Sequence, residues 1–142
     1  MQTPSRRHFL AACAATLGGA LVAPRPAAAA VSRALPPRPH PTPRPGITGE
    51  KVLTRAQLAD SPELVPLFDA VRAAPEVIDG IRCNCGCGAG PGKYSLLSCY
   101  EGADAMAKWC PMCQAQGRLA TRLHRDGKSL DEIRAALDAK FG

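Results

Sequence analysis

Acidic side chains are missing from the first 49 positions of this 142-residue chain, where Arg6, Arg7, Arg25, Arg33, Arg38 and Arg44 account for the whole formal charge of +6. From Glu50 onward acids and bases balance, so the part able to fold is neutral and no nucleic acid is expected as a partner. Aromatic residues make up only 4% of the chain and β-branched residues are sparse, which argues against a strand-built fold. The apolar run from Phe9 to Ala23 falls short of the roughly 20 residues a membrane span needs. No internal repeat, no glycine-rich phosphate loop after a strand, no paired carboxylates and no Ser-His-Asp set can be found. These absences favour a binding module over an enzyme.

What is there begins with an export signal. Ser5-Arg6-Arg7-His8-Phe9-Leu10 resembles the twin-arginine consensus, the mild apolar stretch follows, and small residues run up to Ala30. Residues 1–30 are therefore expected to be a cleaved twin-arginine signal peptide, with a periplasmic or extracellular product that begins near Val31 and keeps no membrane span. Cys13 sits too close to the arginines for a lipid-attachment site and falls within the signal. Residues 31–49 are proline-rich, a composition that favours extended polyproline conformation and buries nothing, so they are expected to form a linker. Residues 50–142 remain as one Cys-rich domain, small enough to profit from cross-links or a metal.

The pattern within that domain is helical, and the expected fold is a small all-α domain with an irregular Cys/Gly-rich loop. Leu64, Leu67, Phe68 and Val71 recur at helical spacing, ending ahead of Pro75, although Pro66 obscures the start. Pro75 to Gly80 reads as one or two helical turns stopped by glycine. Residues 83–93, rich in glycine, predict an irregular loop. Pro111 opens a helix with apolar repeats at Leu119 and Leu123 and a stop at Gly127. Ser129 and Glu132 stand at capping-box spacing before a last helix with Leu130, Ile133, Leu137 and Phe141 on one stripe.

Six cysteines lie in this domain: Cys83, Cys85, Cys87, Cys99, Cys110 and Cys113. Structural disulfides are allowed in an exported protein, but Cys83, Cys85 and Cys87 alternate too closely to bridge one another without strain. Metal binding uses the spacing more naturally. A C-x-C pair in a glycine-containing loop can turn both sulfurs to one side, and a C-x-x-C opening a helix sets two sulfurs near one ion while the helix end favours thiolate. All six are candidate metal ligands, and such soft donors select copper or zinc. Trp109-Cys110-Pro111-Met112-Cys113 also has the spacing of a thiol-disulfide oxidoreductase site, without the strand that should precede one. Trp109 and Tyr100 are expected to shield the site. Lys93, Arg82 and Lys108 either offset thiolate charge or lie on the surface. Met106 and Met112 are read as core residues before thioether ligands. His124 lies about 16 Å along the helix from Cys113 and is expected to be solvated.

The stretches APEVIDGIRCNCGCG, SLLSCYEG and WCPMCQAQGRLATRLHRDGKSLDEIRAALDAKFG together resemble the bacterial PCYCGC-motif (lipo)protein family, from about Ala74 to Gly142. Members of that family are exported or lipid-anchored and essentially uncharacterised. This chain carries Arg82 and Asn84 where the family has proline and an aromatic residue. It also lacks the histidines expected near Lys93 and before the C-x-x-C, while every cysteine position is kept. The resemblance therefore implies coordination by sulfur alone. A fainter similarity links CPMCQAQ and GKSLDEIRAALDAKFG to the small helical thiol oxidoreductases of cytochrome c maturation, which have no counterpart of Cys83 to Cys87. The leading reading is a binding or delivery module for a soft metal ion, with an exported metalloprotein or redox protein as partner. Thiol-disulfide exchange through Cys110 and Cys113 and a disulfide-stapled interaction domain are the alternatives.

Overall fold

Pro62, Pro75 and Pro111 each take the first position of a helical segment, where the N–H that proline lacks would have had no intrahelical partner. The computed structural model describes residues 38–86 and 93–142. The export signal, Cys13, the first part of the proline-rich segment and Cys87 lie outside the described residues. Among the described residues the helices are α1 (Val65–Arg72), α2 (Pro75–Asp79), α3 (Pro111–Arg125) and α4 (Leu130–Phe141). Short 3-10 turns occur at Ala56–Leu58, Pro62–Leu64, Leu97–Cys99 and Met106–Lys108. An isolated antiparallel bridge pairs Val52 with Glu101, and no strand forms among the described residues. The domain is all-α, as its composition predicts.

The sequence leaves the start of α1 ambiguous because of Pro66. In the structure the turn Pro62–Leu64 runs directly into α1, so Pro66 falls in the first helical turn and costs no hydrogen bond. Val65, Leu67, Phe68 and Val71 face the core. At the end of α2 Gly80 has an ordinary negative φ, so its role is not a left-handed stop. A Cβ there would stand 2.7 Å from Leu130 Cδ2, and glycine is what lets α4 approach.

Helix α3 is the hub against which α1, α2 and α4 pack. The apolar repeat at Leu119 and Leu123 suggests the buried stripe, yet both are only half-buried. The innermost face carries Cys113, Gln116, Gly117, Ala120 and Thr121 instead. Small residues win here because neighbours come close: a Cβ on Gly117 would collide with the Tyr100 hydroxyl. In α4 Ile133 and Leu137 are fully buried, while Leu130 and Phe141 pack at the core's edge. Ser129 and Glu132 form the expected capping box.

The proline-rich stretch does not behave as a spacer over residues 38–46, which belong to one compact unit with the helices. Polyproline backbone leaves its carbonyls unpaired, and here side-chain donors of the domain take them. Arg82 Nη1 donates to the Arg38 carbonyl at 2.6 Å, Arg134 Nη2 to Pro41 at 2.8 Å and Tyr94 Oη to Thr42 at 2.6 Å. Arg44 then grips the fully buried Asp79 with its backbone N–H and guanidinium, at 2.7 to 3.2 Å, while Ser95 donates to the same carboxylate at 2.6 Å. Burial alone would raise the Asp79 pKa, but the Arg44 and Ser95 hydrogen bonds outweigh it and hold the carboxyl below its ordinary value.

Candidate metal centre

Cys83 emerges from the buried segment Ile81–Arg82, which is fixed to the far side of the loop by the 2.7 Å hydrogen bond from Leu96 N–H to the Ile81 carbonyl. Cys113 is the third residue of α3, and the Tyr100 hydroxyl donates to its carbonyl at 2.6 Å across the gap that Gly117 leaves open. Cys99 closes the turn Leu97–Cys99.

Three sulfurs converge. Cys83 Sγ lies 3.1 Å from Cys85 Sγ and 3.5 Å from Cys113 Sγ, with Cys113 and Cys85 3.7 Å apart. Sulfurs held at about 2.3 Å by a tetrahedral ion stand about 3.8 Å apart, so two edges of this triangle are close to ligand spacing and the third needs only to open. The trio lies within 4.8 Å of one another and is close enough to hold a metal ion. None of these contacts is a sulfur–sulfur bond, which would be about 2.05 Å. Cys85 is itself in a disulfide, so its thiolate becomes available on reduction. Cys110 and Cys113 are present as thiols.

Cys99 adjoins the trio through hydrogen bonds with Cys83 and Cys113. Hydrogen bonds from Cys113 and then Cys99 pull the Cys83 pKa down to about 3, against its burial. At Cys99 the Cys113 hydrogen bond acts downward, but Cys83 and burial push the pKa up to about 12. Cys113 is pushed up by Cys83, by Cys99 and then by burial. Of the three coupled thiols, Cys83 is the one whose thiolate the cluster favours. Lys93 adds a favourable charge toward Cys99.

Cys110 also caps a helix beside the cluster. It is the N-cap of α3, and its sulfur accepts from the Cys113 N–H at 3.5 Å. Trp109 does not shield the cluster: it is 73% exposed, with Lys108 5.3 Å over its ring. The Pro111 turn starts the helix directly after it, and Lys108 is drawn outward by Asp60 at 3.0 Å. Tyr100 is fully buried and does line the site. Arg82 points away from the sulfurs toward Asp138. Met106 is exposed, Met112 is half-buried, and His124 is exposed near the far end of α3. Gln116 is the residue that sequence reasoning missed. Fully buried, it accepts from the Asn84 N–H at 3.2 Å through Oε1 and directs Nε2 toward Cys83 Sγ at 4.0 Å. Its position three residues after Cys113, on the same helix face, was the available signal.

Fold and site together define a small all-α, cysteine-rich domain with a thiol cluster of ligand geometry. Compared with family models, curated proteins and solved structures, the chain finds no match.

Proposed function

We propose that this is an exported protein that binds a soft metal ion, copper or zinc, through clustered thiolates and delivers it to an exported metalloprotein. The observation that supports the reading most is the Cys83, Cys85 and Cys113 triangle with Cys99 beside it, a donor set of sulfur without nitrogen or oxygen. Such donors favour monovalent copper and zinc over hard ions, with three thiolates suiting the former and a fourth completing a zinc tetrahedron. The twin-arginine-like signal and the resemblance to exported PCYCGC-motif proteins agree with an extracytoplasmic role. The test is metal analysis with thiol counting on protein purified from the exported fraction and on reduced protein reloaded with zinc or monovalent copper. Stoichiometric metal that is lost in Cys85→Ser/Cys113→Ser and kept in His124→Ala is the expected result. Absence of metal in both preparations overturns the reading.

One observation favours thiol-disulfide exchange as a second reading. Cys83 Sγ stands 3.1 Å from the sulfur of disulfide-bonded Cys85, a contact from which attack by the Cys83 thiolate would form a Cys83–Cys85 bond and release the other sulfur of that disulfide as a thiolate. On this reading Cys83 and Cys85 would take part beside the Cys110 and Cys113 pair that the spacing suggests. Catalysed reduction of a small disulfide by the metal-free protein, lost in Cys83→Ser, would select it.

A further inference from the structure

Both roots of the cysteine loop are held by the proline-rich arm. At one root the Arg82 backbone N–H donates to His40 Nδ1 at 3.2 Å, and at the other Tyr94 Oη donates to the Thr42 carbonyl. Because Nδ1 accepts, the neutral imidazole carries its hydrogen on Nε2, which bonds Asp138 Oδ1 at 3.0 Å. The same carboxylate oxygen accepts from Arg82 Nη2 at 2.7 Å. Backbone, imidazole, carboxylate and guanidinium thus close a ring around Arg82, which is 8% exposed and immediately precedes Cys83.

The ring reaches into the C-x-C itself. Arg82 Nε donates to Asn84 Oδ1 at 2.9 Å, while the Asn84 N–H is taken by Gln116 from the other side. Asn84, between Cys83 and Cys85, is therefore gripped by its side chain from Arg82, which the arm holds, and by its backbone from α3. This stretch lies outside helix and strand. Backbone left loose there would swing the sulfurs apart, and ordering it at the moment of metal capture would cost conformational entropy.

We propose that His40, Arg82 and Asp138 are positioning residues for the thiol cluster: the arm is a clasp that preorganises Cys83 and Cys85 against Cys113. The inference rests on the metal-binding reading for its purpose and on geometry alone for its existence. Partners of this kind behind a metal ligand are commonly worth 10- to 100-fold in affinity.

The experiment uses the full chain, reduced and metal-free, and reads three quantities: iodoacetamide alkylation of each cysteine by mass spectrometry, hydrogen exchange at the Arg82 amide, and zinc affinity by chelator competition. His40→Leu is expected to speed alkylation of Cys83 and Cys85 and weaken zinc binding about tenfold or more. His40→Asn, which returns an acceptor near the place of Nδ1, is expected to restore most of both. A purely structural staple would lower melting temperature without this rescue. If His40→Leu does not fold, Asp138→Asn, a neutral acceptor at the same place, supplies the comparison. Fast Arg82 exchange with wild-type alkylation and wild-type zinc affinity overturns the clasp. Wild-type protein that takes up neither zinc nor copper rejects the proposed function instead. The alkylation rates still decide the clasp in that case: faster in His40→Leu supports it, unchanged overturns it.

Discussion

A thiol hydrogen-bonded to neighbouring thiols titrates unlike an isolated one, and Cys83, in contact with Cys113 and Cys99, is such a thiol. Its folded pKa of about 3 lies below the ordinary value of 9.0, so its contribution to stability is complete above pH 9 and shrinks as pH falls toward 3. Cys99, raised to about 12, contributes fully below pH 9 and loses that contribution as pH rises toward 12. Reduced, metal-free protein is thus expected to gain stability from acid toward pH 9 and lose it beyond, and Cys83→Ser should flatten the acid limb. Urea unfolding at stepped pH measures both. Gly117→Ala is the steric counterpart, because its new methyl meets the Tyr100 hydroxyl that holds the Cys113 carbonyl. A loss of about 1–3 kcal/mol is expected from the overpacking, read by denaturant melts. The residue-level chemistry was partly legible in advance. Clustered cysteines are visible as letters, whereas the roles of Gln116 and of Cys110 as a cap depend on which way a helix face turns.

Helices were the most readable elements, and the reason is local. Proline at a first position and Ser129 with Glu132 at capping distance act within one turn, so no tertiary contact was needed to find them. Ser129→Ala is expected to cost about 1 kcal/mol, with the loss seen as fraying at the start of α4 in hydrogen exchange. Glu132 is held down to about 2, first by the Ser129 backbone N–H and then by Lys128, so the cap is intact above the ordinary carboxylate range and fails as pH falls from about 4.5 toward 2. In Ser129→Ala that acid-dependent part should shrink. The buried stripe of α3 was less readable. Hydrophobicity pointed to Leu119 and Leu123, but closeness of approach selected glycine, alanine, threonine and glutamine, and closeness is a property of pairs of elements.

For the molecule as a whole, the arm was illegible because its composition describes what proline-rich chain does alone. Its docking depends on donors far away in sequence: Arg82, Tyr94 and Arg134. Arg44 and Asp79 show the strength of that docking. Arg44→Ala leaves a buried carboxylate without its cation, and the expected loss is about 3 kcal/mol, measured by thermal or denaturant unfolding. Asp79→Asn in the same background should recover part of it.

The contact between His40 and Asp138 spans 98 positions of sequence. On the ribosome His40 emerges long before α4, and with it Asp138, exists. A chain stopped before Asp138 lacks the carboxylate that His40 and Arg82 share, so that part of the loop's fastening comes only with α4. If the clasp orders the thiols as proposed, the finished site waits for a residue 98 positions downstream of His40.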